Sequence, residues 1–321
     1  MYRNGSKFVL FLMLFSMGTA FFLMPTVFAA MGISGEELSH LLRSPWFLIA
    51  QQLLLLLTPL LLWVYARRES FNNFLKFEQL DFASVAMIVG ISLLIQPAMT
   101  FVSGLAGLFF PNIISDIVIG IMDYPFWIVL LAIAITPSIV EELVFRGYIQ
   151  AQYEKFGIKK AAIISGLFFG IIHMNMQQFF YAFIAGIIFA YIVYYTKSII
   201  AGILAHFVIN ASQVLLLRAV LLAESLQEEL AGGYEAMPMP EITPLFAVMA
   251  VGIFALFTTP PAVLLLISLI NRGKKAHDFT QPEIACTGLE LPIPEEKPFM
   301  DPFVFAVVAI YAAFNIFTWF N

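Results

Sequence analysis

Apolar runs of about twenty residues recur along the whole chain, broken by short polar segments. About 20 apolar residues at 1.5 Å per residue cover a hydrocarbon core of about 30 Å. The pattern therefore predicts nine spanning helices, roughly 8–30, 46–66, 82–110, 125–147, 160–176, 178–196, 198–222, 244–270 and 302–320. Two longer polar stretches read as surface loops. One, at 223–243, is acidic through Glu224, Glu228, Glu229, Glu235 and Glu241; the other, at 272–301, is rich in proline and mixed in charge. No internal repeat is visible. The predicted fold class is all-α: a polytopic transmembrane helix bundle in a single membrane domain, 1–321.

Composition agrees, with 61% hydrophobic and 12% charged residues against about 25% charged in soluble domains. The basic residues give the orientation. With the N-terminus inside, the inner segments hold Arg3, Lys7; Arg67, Arg68, Lys76; Arg146, Lys155, Lys159, Lys160; Lys197; and Arg272, Lys274, Lys275, Lys297, which is 14 of the 16. Only Arg43 and Arg218 fall outside. Cytoplasmic loops carry the excess of Lys and Arg, so the N-terminus is expected in the cytoplasm and the C-terminus outside, with 272–301 a cytoplasmic loop. The first span resembles a signal peptide, but its apolar run exceeds the about 7–15 residues of a cleaved one, and an uncleaved helix is expected. The one cysteine, Cys286, allows no intrachain disulfide. No basic stripe offers a nucleic-acid surface, so the expected partners are membrane lipid and a peptide or protein at the membrane.

Ionisable residues inside a bilayer are costly and point to function. Three spans carry nearly all of them. The fourth reads Glu141-Glu142-Leu-Val-Phe145-Arg146. Glu142 and Arg146, four apart on one helical face, can pair. Glu141 lies about 100° around the helix, lacks that partner, and is expected to have a raised pKa suited to general-base work. A plain interfacial charge cluster ending a helix is the bland alternative. Pro137, four residues before Glu141, is expected to loosen this helix. The fifth span places Phe169 and His173 on one face, and the seventh does the same with His206 and Asn210. His40 and His277 are read as solvated loop residues.

Glu141 and His173 each lie 16 residues from Gly157, a plausible turn glycine, so an antiparallel hairpin brings them to equal depth. Its polar tip, Gln150 to Lys160, is expected to project into the cytosol. Asn175, Gln177 and Gln178 then fall at membrane depth, which requires a cavity or protein around them. The site is expected to open inward.

These residues resemble the three ordered motifs of the CPBP intramembrane proteases, a family that includes the type II CAAX prenyl endopeptidases and bacterial abortive-infection and bacteriocin-immunity proteins. The resemblance covers about 125–215. It implies an endopeptidase in which Glu141 and His173 activate a water and His206 and Asn210 stabilise the oxyanion, with Glu142, Arg146 and Phe169 in support. Glu141, His173 and His206 would form a His₂Glu zinc set with an open position for water. A metal-free glutamate mechanism fits the same residues, so the sequence itself requires no cofactor. A catalytically idle immunity or scaffold protein and a transporter are the competing readings, although the Thr258-Thr259-Pro260-Pro261 break has no counterpart in the chain. The expected location is a bacterial plasma membrane.

Overall fold

The computed structural model describes residues 5–110, 115–230, 243–277 and 300–320. Arg3, Cys286, Lys297 and the centres of both predicted loops, 231–242 and 278–299, lie outside the described residues. The helices are α1 (Gly5–Ala30), α2 (Gly35–Leu42), α3 (Pro45–Ala66), α4 (Phe82–Gly107), α5 (Ser115–Ile121), α6 (Phe126–Phe156), α7 (Ile158–Ile172), α8 (Met176–Thr196), α9 (Ile199–Leu230), α10 (Pro244–His277) and α11 (Pro302–Phe320). Among the described residues there is no sheet, only an isolated bridge between Phe77 and Ser198.

Seven helices are long and apolar enough to cross a membrane: α1, α3, α4, α6, α8, α9 and α10. They match seven of the nine predicted spans. The other two are shorter: 15 residues for α7 and 19 for α11. Large apolar side chains face outward, such as Phe22 at 74%, Leu256 at 72% and Phe257 at 73% exposed. Apolar surface of that extent calls for lipid around it.

Three helices share a local device. The turns Thr19–Leu23, Leu53–Leu57 and Leu131–Ile135 are wound wide, each closed by a backbone bond to the carbonyl five residues back. Each ends two residues before a proline: Pro25, Pro59 and Pro137. A proline cannot donate to the carbonyl four residues back, and its ring crowds that carbonyl. The preceding turn widens in response. The orphaned carbonyls of Leu55 and Ile133, four residues before Pro59 and Pro137, are met by other helices: Ser16 Oγ donates to Leu55 O at 3.2 Å and Asn210 Nδ2 to Ile133 O at 3.0 Å. A fourth wide turn, Leu143–Ile149, contains no proline and directly follows Glu142.

The hairpin of α6 and α7 turns at Gly157, whose φ of +90° suits glycine and few other residues. Gln150 is not at an exposed tip as expected; it is fully buried. Its Nε2 donates to the Ala190 carbonyl of α8 at 3.1 Å and to Glu154 at 3.2 Å. Helices α7 and α8 pack through Gly166, Gly170 and Gly186. A Cβ on Gly166 would stand 2.8 Å from the Phe183 carbonyl, and one on Gly170 2.9 Å from the Phe179 carbonyl. Small residues at such spacing let membrane helices approach closely.

At about 22 Å by its rise per residue, α7 is too short to cross. It ends at the turn His173–Asn175, with Met174 in the left-handed region at φ 51°. Asn175, 4% exposed, caps α8 by accepting the Gln178 N–H at 3.2 Å. Of the polar residues expected at membrane depth, Asn175 is thus sheltered by protein, while Gln177 and Gln178 are half-buried. Three other expectations are corrected. α9 runs on to Leu230, so Glu224, Glu228 and Glu229 are helical rather than looped. α10 runs to His277 and passes through Pro260 and Pro261 without a break. His40 lies within α2, not a loop.

Candidate active site

The pairing predicted from spacing is present. Arg146 Nη1 donates to Glu142 Oε1 at 2.8 Å, with both side chains at 0% exposure. A charge so deep needs more than one partner. The guanidinium lies over the ring of Phe169, 4.2 Å from its centroid, and 5.0 Å from that of Phe189. These faces compensate for Nε and Nη2, which have no hydrogen-bond partner among the described atoms. Cation–π contacts strengthen to about 2 kcal/mol when desolvated.

Glu142 also reaches His206, whose Nδ1 lies 3.2 Å from the same Oε1. An ionised carboxylate can only accept, so Nδ1 of His206 carries a proton. The opposite nitrogen, Nε2, points to Glu141, 4.0 Å from its Oε2. Glu142 approaches this closely because Gly202 of α9 carries no side chain; a Cβ there would stand 2.6 Å from Glu142 Oε2.

His173 is fixed in the same manner by a different group. Its Nδ1 lies 2.7 Å from the Phe169 carbonyl. A carbonyl only accepts, so this Nδ1 also carries a proton and leaves Nε2 with the lone pair when the ring is neutral.

Phe169 is the hub. Its ring meets Arg146, His173 at 5.1 Å edge-on and His206 at 5.7 Å edge-on, and packs on Phe145 at 5.1 Å. Phe189 stacks on His206 at 5.3 Å. Glu142, Arg146, Phe169, His173 and His206 therefore meet around the Phe169 ring, drawn from α6, α7 with its following turn, and α9, and Glu141 joins them through His206. Asn210 sits one turn beyond His206 on the same face of α9. Its Nδ2 donates to Ile133 O, bracing α6 before Pro137 rather than reaching Glu141.

Three contributors escaped the sequence reading. Gln52 of α3 donates from Nε2 to Glu141 Oε1 at 3.1 Å; its signal was the Gln51-Gln52 pair in an otherwise apolar span. Phe189 looked like any lipid-facing aromatic. Gly202 gave no signal, since its role is a missing side chain.

Among the described residues, no three His, Cys, Asp or Glu side chains are placed to hold a metal ion. The nitrogen chemistry suits one, because a ligating histidine usually donates its other N–H to a carboxylate or carbonyl, but the spacing of Glu141, His173 and His206 does not form a ready centre.

The family model described as type II CAAX prenyl endopeptidase Rce1-like matches residues 123–212. A protein of Bacillus subtilis (strain 168) named "Putative membrane peptidase YdiL" is 34% identical over 84 residues, covering 26% of this chain and 34% of the relative. The chain thus matches about a third of that relative's length. No solved structure matches. The match agrees with the resemblance read from the three motifs: residues 123–212 match the model of this membrane-protease family, and the matched stretch contains every residue of the cluster except Gln52.

Proposed function

We propose that the chain is an intramembrane endopeptidase that hydrolyses peptide bonds in membrane-associated or lipidated peptides, in a bacterial plasma membrane. The carrying observation is the setting of the two histidines. Each has Nδ1 against a fixed acceptor, both rings meet the Phe169 ring, and Nε2 of His206 lies 4.0 Å from the buried Glu141.

Peptide hydrolysis needs a base for water and donors for the developing oxyanion. Glu141 is the base, and neutral His173, accepting through Nε2, holds the water beside it. The water's oxygen attacks the scissile carbonyl and its proton passes to Glu141. His206 can donate through Nε2 only as the imidazolium, because Nδ1 already carries a proton against Glu142. Asn210 has two amide hydrogens; Ile133 takes one, and the other serves the oxyanion. The proton on Glu141 then moves to the leaving amine. Removing one oxyanion donor in enzymes of this kind costs about 10²–10³ in turnover.

The test uses purified protein in lipid nanodiscs with internally quenched peptides: one carrying a prenylated cysteine near its C-terminus, its unlipidated counterpart, and a bacterial signal peptide. Cleavage of at least one peptide, lost in Glu141→Gln, is expected. Equal turnover by Glu141→Gln, or no turnover of any peptide by the unaltered protein, overturns the reading.

A further inference from the structure

Glu141 is held from outside the family segment. Gln52 belongs to α3, some seventy residues before the matched stretch begins. It ends the regular first turns of α3, just ahead of the wide turn Leu53–Leu57 that Pro59 imposes. Its Nε2 lies 3.1 Å from Glu141 Oε1, while Glu141 Oε2 faces His206 Nε2 at 4.0 Å. The two oxygens of one carboxylate are thus divided between a neutral amide and an imidazole. The choice of amide matters chemically. A Lys or Arg here would form an ion pair like that of Glu142 with Arg146 and blunt the base. An apolar residue would leave the carboxylate free to rotate. An amide fixes one oxygen and leaves the negative charge in place. Gln52 Oε1 is buried with no hydrogen-bond partner among the described atoms, so the amide also sets an open acceptor beside the base.

Resting on the protease reading above, we propose that Gln52 is a positioning residue for Glu141: it fixes Oε1 so that Oε2 is presented to the substrate water. The same contact assigns α3, a helix outside the family segment, a part in the site.

The experiment uses the full chain in nanodiscs and dicyclohexylcarbodiimide, which modifies protonated carboxyl groups in apolar surroundings. Labelling of Glu141 and Glu142 is followed against pH by tandem mass spectrometry, in the unaltered protein, in Gln52→Met (similar length, no donor) and in Gln52→Glu. A hydrogen bond to a charged group favours the charged form, so its loss in Gln52→Met should move the Glu141 labelling midpoint about one pH unit higher. Gln52→Glu should move it further, since a like charge disfavours ionisation. The Glu142 midpoint should stay in place, because Arg146 and His206 still hold it. An unmoved Glu141 midpoint in both variants overturns the inference. So does a joint shift of Glu141 and Glu142, which marks general loosening of the bundle.

On any quenched peptide that the protein cleaves, Gln52→Met should lower kcat about tenfold and leave KM within about twofold. A shifted midpoint with unchanged kcat overturns the positioning role. If the unaltered protein cleaves nothing while the Glu141 midpoint still shifts selectively, the protease reading fails and the Gln52 contact stands. If cleavage is robust and the midpoint does not move, the reverse holds.

Discussion

The Asn210 side-chain amide donates to the Ile133 carbonyl at 3.0 Å, and Ile133 is the residue whose helical donor Pro137 removes. One motif residue is therefore tied to the backbone of the helix that carries three others, Glu141, Glu142 and Arg146. The bond joins α9 to α6 about two turns before Glu141, so Asn210 braces the stretch of α6 that leads to Glu141.

That tie makes a double-mutant prediction. Asn210→Leu orphans the Ile133 carbonyl and should destabilise the protein by about 1 kcal/mol. In a Pro137→Ala background, residue 137 regains an N–H for Ile133, and the same Asn210→Leu change should cost close to nothing. Denaturant unfolding in mixed micelles of all four proteins gives the coupling. Additive costs would show that Asn210 does not serve that carbonyl.

Glu141→Ala should abolish peptide cleavage with the fold intact, because the cluster's buried salt bridge is that of Glu142 with Arg146, which this change leaves in place. Size-exclusion behaviour and helical circular dichroism report the fold, and the quenched-peptide assay reports turnover. Full activity in this variant removes Glu141 from the mechanism.

His206→Ala should lower kcat by about 10²–10³ with little change in KM, since an oxyanion donor acts in the transition state. A purely KM effect contradicts the assignment.

Arg146→Met leaves Glu142 charged and buried, which should cost about 3–5 kcal/mol. Replacing both partners, as Glu142→Met with Arg146→Met, should recover most of that stability, because an apolar pair needs no compensation. Activity should not return, since His206 loses the carboxylate that orients it. Thermal unfolding with parallel turnover assays separates the two effects. A double variant that regains turnover would reduce Glu142 to a structural charge.

Gly202→Ala should be more harmful to activity than an exposed helical glycine change, which usually helps a helix by about 1 kcal/mol. The new methyl meets Glu142 Oε2 at 2.6 Å and pushes the carboxylate from His206. Turnover at or above that of the unaltered protein would show that the carboxylate has room to move.

Much of the cluster was legible because helical spacing is rigid. Glu142 with Arg146, Phe169 with His173 and His206 with Asn210 are each four apart, and in the structure each pair faces one way. The turn at Gly157 was legible because glycine there has a backbone reason. The partner of Asn210 was not, since it depends on which carbonyl a proline orphans on another helix. Nor was the burial of Gln150: a polar residue near a charged turn reads as solvated, and only the neighbouring Ala190 carbonyl shows otherwise. Hydropathy marked the apolar run of α7 but not its brevity, because the flanking Met176–Thr196 run continues after a three-residue turn.

The wide turn at Leu143–Ile149 has a consequence for lineage. The other three such turns are explained by prolines, and this one holds none. A turn wound to five residues carries about one residue more than an ordinary turn at the same length of axis. Relatives that keep the cluster but wind this stretch regularly should therefore be one residue shorter within the helix. Comparison with them should place a single-residue gap between Glu142 and Gln150, in a segment where insertions and deletions are seldom sought.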